Sequence, residues 1–180
     1  MLNNVVGVLG AGTPPVTNSY ESIATYTASG GETSFTFSSI PATYKHLQIR
    51  ALVGCSSTTS VSMRFNGDST GGNYAWHRLV GDGTNASSAG GGGSYRIFDL
   101  TGNSTYFMGG VVDILDYSNT NKNTTSRSLH GVDSNGAFTG EICMISHAWF
   151  NTAAVSSVLL SADAGSFSAN TQFALYGIKG

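Results

Sequence analysis

Charge is what this chain has least of: Asp, Glu, Lys and Arg make up 10% of its 180 residues, against about 25% in an average soluble protein. The net charge is -2 and the basic residues are scattered, so the clustered Lys and Arg that nucleic acid or an anionic membrane surface requires are missing. Neither partner is expected. Two cysteines, Cys55 and Cys143, are too few for a disulfide scaffold or a metal cluster. Each sits in an apolar strand pattern and reads as a buried thiol packing like a small hydrophobe, with a bridge between the two left open. No apolar run is long enough to span a bilayer: residues 1–12 are short, broken by glycine, and preceded by no Lys or Arg of a secretory signal. Folding in a cytosol and no membrane insertion are the expectations. Sustained helical periodicity is missing too, which argues against any helical or α/β architecture.

Ser, Thr, Asn and Gly stand in for the missing charge, so hydroxyls and amides must hydrate the surface. From Tyr20 onward the chain reads as short strands separated by turn signals at intervals of about 8 to 12 residues. Tyr20 to Ala28 and Thr33 to Phe37 flank Ser29-Gly30-Gly31-Glu32 and predict a hairpin. Pro41 ends the second of these strands. In Tyr44 to Gly54, Leu47, Ile49, Ala51 and Val53 alternate with His46, Gln48 and Arg50, which predicts one core face and one outer face. Further strands are predicted over Thr58 to Phe65, Tyr74 to Val80, Val111 to Tyr117, Thr124 to Val132, Phe138 to Phe150 and Val155 to Ser161. The run Gly90 to Gly93 predicts a mobile surface loop. It lacks the Gly-Lys-Ser/Thr ending of a phosphate cradle.

The final segment, Phe173 to Gly180, is apolar on both faces, with Phe173, Leu175 and Gly177 on one and Ala174, Tyr176 and Ile178 on the other. It predicts a central strand that closes the core and leaves no room for a downstream domain. The fold class expected is an all-β antiparallel β-sandwich of jelly-roll type, residues 19–180, preceded by an extended arm, residues 1–18. In the arm Pro14 and Pro15 fix φ and act as a stiff spacer. Val5, Val6, Val8 and Leu9 cannot bury themselves in so short a segment. These six residues are the candidate anchor to a neighbouring subunit. Low charge together with strands apolar on both faces implies more apolar surface than one core needs, and a homotrimer is expected.

Chemistry is sparse. His46, His77, His130 and His147 fall in four different predicted strands; His147 reads as a satisfied, half-buried residue and His77 as a surface contact. Asp113 and Asp116 are three residues apart, on opposite faces of an ideal strand, and cannot act as a paired acid and base. No nucleophile elbow is present. The Asn66 to Tyr74 turn lacks the acidic density of a calcium loop, and Asp116 to Asn123 is an amide-rich connection whose side chains bond their own backbone. Aromatics and amides near such connections are raw material for glycan stacking, so Trp76, His77, Tyr117, Asn119 and Asn121 are the candidate surface ligand contacts. No cofactor, metal or catalytic residue is expected, and the protein reads as a non-enzyme.

Four blocks carry a likeness: Tyr20 to Thr25, Phe37 to Arg50 (Phe-Ser-Ser-Ile-Pro-Ala-Thr-Tyr-Lys-His-Leu-Gln-Ile-Arg), the turn Arg64-Phe65-Asn66-Gly67-Asp68, and the ending Phe173 to Gly180. Together they resemble a family of small virion proteins of tailed bacteriophages. The resemblance covers most of the chain after residue 18. It implies a structural virion role as a tail-fibre, baseplate or capsid-decoration component, with other phage virion proteins as partners and a host surface glycan as a further candidate. It implies no catalytic motif. The tyrosine-bearing last strand is also similar to that of trimeric tumour-necrosis-factor-like jelly rolls. A virion subunit made in the host cytoplasm is the reading that follows, with a free carbohydrate-binding lectin-like module as its alternative.

Overall fold

A computed structural model describes residues 19–93, 95–99, 103, 105–133 and 140–180. Among these the chain forms twelve strands: β1 Tyr20–Thr27, β2 Ser34–Phe37, β3 His46–Val53, β4 Val61–Phe65, β5 Tyr74–Gly81, β6 Ala86–Gly92, β7 Arg96–Phe98, β8 Met108–Leu115, β9 Thr124–Val132, β10 Glu141–Trp149, β11 Val158–Ala162 and β12 Gln172–Ile178. They build an all-β sandwich of two antiparallel sheets, an eight-stranded one in the order β1-β12-β3-β8-β9-β10-β5-β6 and a four-stranded one in the order β2-β11-β4-β7.

The alternation in β3 does what its spacing predicts. Leu47, Ile49 and Val53 are fully buried while Arg50 and Leu52 face outward. Opposite them β12 buries Phe173 and Leu175, and β8 buries Val112 and Ile114. Phe37, Met63, Phe65, Ile97, Phe98, Val158 and Leu160 of the small sheet complete one cluster. Each such side chain contributes about 1.5 to 3 kcal/mol. The last strand is internal as expected, hydrogen-bonded to β1 on one side and β3 on the other. It also permits a close approach. A Cβ at Gly177 would run into the ring of Tyr44.

Several boundaries move. β1 and β2 are not a hairpin: β1 pairs with β12 in the large sheet and β2 with β11 in the small one. Gly30 and Gly31, at φ +105° and +98°, turn a corner between sheets, held by the Glu32 carboxylate, which accepts from the N–H groups of Ser29 and Gly30 at 2.9 and 2.8 Å. Stacking of Tyr26 on Phe35, centroids 3.8 Å apart, closes the corner. Gly90 to Gly92 are not a loop but part of edge strand β6, because a run of small residues can pair along β5 in unbroken register. β7, unforeseen from its three residues, buries Ile97 and Phe98 completely. β4 begins three residues later than predicted, β8 starts at Met108 and stops at Leu115, and β11 covers Val158–Ala162. The predicted start of β10 at Phe138 falls outside the described residues.

β5 and β6 enter the chain between β4 and β7, and β9 and β10 between β8 and β11, yet all four join the same side of the large sheet. That sheet therefore outgrows its partner. Over the added half β7 packs against β9 and β10, Phe65 of β4 meets Trp149 of β10 with ring centroids 5.4 Å apart, and a second small cluster of Val80, Cys143 and Ile145 forms there with half-buried Trp76 against it.

Candidate functional site

The added half carries the unusual chemistry of the molecule. Its inner face is lined from β9 by Thr124, Ser126, Ser128 and His130, all buried. Ser128 donates to the Ile97 carbonyl at 2.5 Å. The N–H of Asp99 donates to Nε2 of His130 at 3.0 Å, which leaves the ring proton on Nδ1. The Asp99 carboxylate, with 4% of its side chain exposed, joins Arg78 of β5 to Arg96 of β7 at the rim of the sandwich. These ion pairs tie the small sheet's last strand to the wing of the large one. Burial lowers the imidazole of His130 to about 4. Glu141, its carboxylate 4.0 Å from Nε2, has its own acidity shifted upward by burial, so the pair does not act as a strong ion pair.

His147 differs from its expected satisfied, half-buried state. It is buried, both ring nitrogens lack a hydrogen-bond partner, and so does the hydroxyl of Ser126 directly opposite on β9. Burial lowers this imidazole to about 4 as well. In register it faces the Ser126 hydroxyl on one side and Trp76 on the other, with no carboxylate at either position. Among the described residues, no group of three or more His, Cys, Asp or Glu could hold a metal ion.

The candidate ligand contacts scatter. Tyr117 is fully buried, so it is not a surface contact. Its hydroxyl donates to the Pro41 carbonyl and accepts from the Tyr44 N–H at 3.4 Å, locking the β2–β3 connection. Trp76 is half-buried, with the Arg78 guanidinium 6.0 Å from its ring, and His77 beside it is exposed on the opposite face. Asn119 and Asn121 lie two strands away in the β8–β9 connection. There the Asn119 side chain accepts from the Asn121 N–H at 2.8 Å, as a self-bonded turn should. Asp116, at φ +48°, anchors the same turn through Lys122 and Lys45, which hold its carboxyl down at about 2. The Asn66 turn is likewise structural. Asp68 accepts from the Thr70 N–H, Asn73 Nδ2 and Trp149 Nε1 at 2.8 to 2.9 Å, and these bonds hold it at about 2. Val5, Val6, Val8, Leu9, Pro14 and Pro15 lie outside the described residues.

Two surface features escaped the sequence reading. The outer face of the large sheet exposes Leu79, Leu129, Ile142, Met144 and Leu52, each 48 to 61% accessible. Met144 pairs with Leu79 and Leu129, and Ile142 with Gly81 and Gly131, so four of the five form one continuous band across β5, β10 and β9. The signal was present in Ile142-Cys143-Met144-Ile145, four apolar residues in succession where a half-exposed strand alternates. Beside the band the face turns polar. Arg50 lies between the rings of Tyr20 and Tyr176, 5.6 and 5.2 Å from their centroids, and its Nε donates to Gln48, which donates to Asp113.

No protein-family model matches the chain, and no curated protein matches its sequence.

Proposed function

We propose that this protein is a non-enzymatic structural subunit of a tailed-bacteriophage virion, a tail-fibre or adhesion module or a capsid-decoration module. The observation that carries the reading is the apolar band of Leu79, Leu129, Ile142 and Met144 on the outer face of the large sheet. A contiguous apolar patch of this kind, on a chain with so little charge, belongs under a neighbouring subunit. The strand order supports the jelly-roll reading. With the insertions set aside, β1-β12-β3-β8 faces β2-β11-β4-β7, and the chain crosses between the sheets at every step except β4 to β7, as two Greek keys do. A homotrimer buried through the band is the assembly this reading favours.

The lectin alternative loses support from the burial of Tyr117, since a glycan platform needs its aromatic ring at the surface. Mass spectrometry and low-resolution imaging of purified particles test the proposal: the protein should be present in a fixed copy number at one place on the particle. Particles that lack it refute the virion role.

A further inference from the structure

The four sheet edges differ in how they are protected. β1 carries a bulge between Ser22 and Ala24, and Glu21 on it pairs with Lys179 at 2.9 Å. β2 is four residues long, and β7 is three residues long with a charged Arg96 and a register break. Shortness, charge and bulging are the devices that stop an edge from recruiting another strand. β6 has none of them. Its seven residues, Ala-Ser-Ser-Ala-Gly-Gly-Gly, are all exposed, contain no charge or proline, and pair with β5 in unbroken register from Gly81↔Ala86 to Ala75↔Gly92. Among the described residues nothing pairs with the other side of β6, which is therefore an open row of backbone donors and acceptors.

Its side chains are also too small to cover what lies behind them. Trp76 on the inner face leans over β6, its Nε1 3.8 Å from where a Cβ on Gly91 would sit. On the outer face, exposed Leu79 stands opposite Ser88. An incoming strand with bulky aliphatic side chains would fill both ledges. A second β6 would not, since it brings only Ala, Ser and Gly.

We infer that β6 accepts, by strand addition, the segment Val5-Val6-Gly7-Val8-Leu9 of a second copy of this chain. The segment has aliphatic side chains on both faces of an extended strand and no charge. Geometry makes the donor another molecule. The segment joins the fold at β1, at the opposite edge of the same sheet and seven strand spacings from β6, which is about 34 Å. The tether from Leu9 to Ser19 reaches about 33 to 36 Å fully extended, so a chain could reach its own β6 only with the tether drawn taut along the whole width of the sheet, whereas a second copy needs no such stretch. Donor edge and acceptor edge thus lie at opposite ends of each copy, giving a head-to-tail contact that closes into a ring or continues as a filament. This pairing is independent of any place in a virion.

The test uses full-length chains. Val6→Cys, uniformly labelled with a heavy nitrogen isotope, is mixed with unlabelled Ala89→Cys and treated with a short bismaleimide; native Cys55 and Cys143 are buried. The expected product is the mixed adduct, identified by its mass. Its yield should fall about tenfold when the acceptor chain also carries Ser88→Lys, which puts a charge on the edge. A dominant Ala89→Cys homo-adduct would mean that β6 pairs with itself, and a dominant Val6→Cys homo-adduct that the arms pair together. Either result, an absence of adduct, or a mixed adduct indifferent to Ser88→Lys overturns the inference.

Discussion

Lowering the pH from about 7.5 to about 5 should cost this fold about 4 kcal/mol, through two histidines. His130 and His147 are buried at the inner face of the added half, and burial lowers both to about 4; the unfolded chain returns them to about 6.5. Because both folded values lie below the unfolded one, their stabilising contribution is complete above about pH 6.5. It drains away as the pH falls toward 4, the unfolded chain taking up protons first. At pH 5 the difference is worth about 2 kcal/mol for each ring. A total stability of about 5 to 15 kcal/mol makes that a large fraction.

The neighbours sharpen the window. Glu141, raised by burial, gains from acid and offsets part of the loss. Glu32, Asp68 and Asp116, each held at about 2, begin to lose their stabilising bonds only below about pH 4.5. Urea unfolding followed by tryptophan fluorescence should show the midpoint moving down by about 2 M between the two conditions, for a slope of about 2 kcal/mol per M. His147→Leu should halve that dependence. At pH 7.5 it should be no less stable than the parent, since it removes a ring whose nitrogens have no partner. Equal midpoints at pH 7.5 and 5 would refute the reasoning.

Phe173→Ala should lower stability by about 3 to 5 kcal/mol in the same assay, because the ring is fully buried in a strand paired on both sides. Unchanged stability would show that β12 is peripheral. Tyr117→Phe should cost about 1 to 2 kcal/mol by leaving the Pro41 carbonyl without its donor; a neutral result would make the hydroxyl dispensable. Gly177→Ala should destabilise by about 1 to 3 kcal/mol, since the new methyl group meets the Tyr44 ring, and Tyr44→Ala should suppress that cost. Cys143, buried and with its thiol pushed up to about 11, and Cys55, equally buried, should both resist an aromatic disulfide reagent at neutral pH until the protein unfolds.

Patterns of period two were legible where a strand has one core face. β3 and β9 could be placed to within two residues, and the core side of β3 was named correctly, since Leu47, Ile49 and Val53 alternate with polar residues. β6 and β7 were not legible. Ala-Ser-Ser-Ala-Gly-Gly-Gly has no apolar alternation to detect, and only pairing with β5 makes it a strand; Arg-Ile-Phe is too short to show a period at all. The supposed β1–β2 hairpin failed for a related reason. A Gly-Gly turn between two apolar runs reads the same whether the second run folds back beside the first or crosses to the facing sheet. Tyr117 misled because an aromatic beside an amide-rich turn carries no mark of which way its ring points.

Composition and alternation thus determined, without coordinates, an all-β chain of short strands with a buried C-terminal strand and two buried thiols, because hydrophobic period and turn chemistry are local properties of the chain. The tertiary structure decided which strands are neighbours. Only pairing between distant segments gathers β9, β10, β5 and β6 onto one side of a single sheet, buries His130 and His147 beneath it, aligns Leu79, Leu129, Ile142 and Met144 into one band, and leaves β6 as its open edge. Those properties belong to backbone hydrogen bonds between residues up to 158 positions apart, as between Tyr20 and Ile178, which no local window of sequence contains.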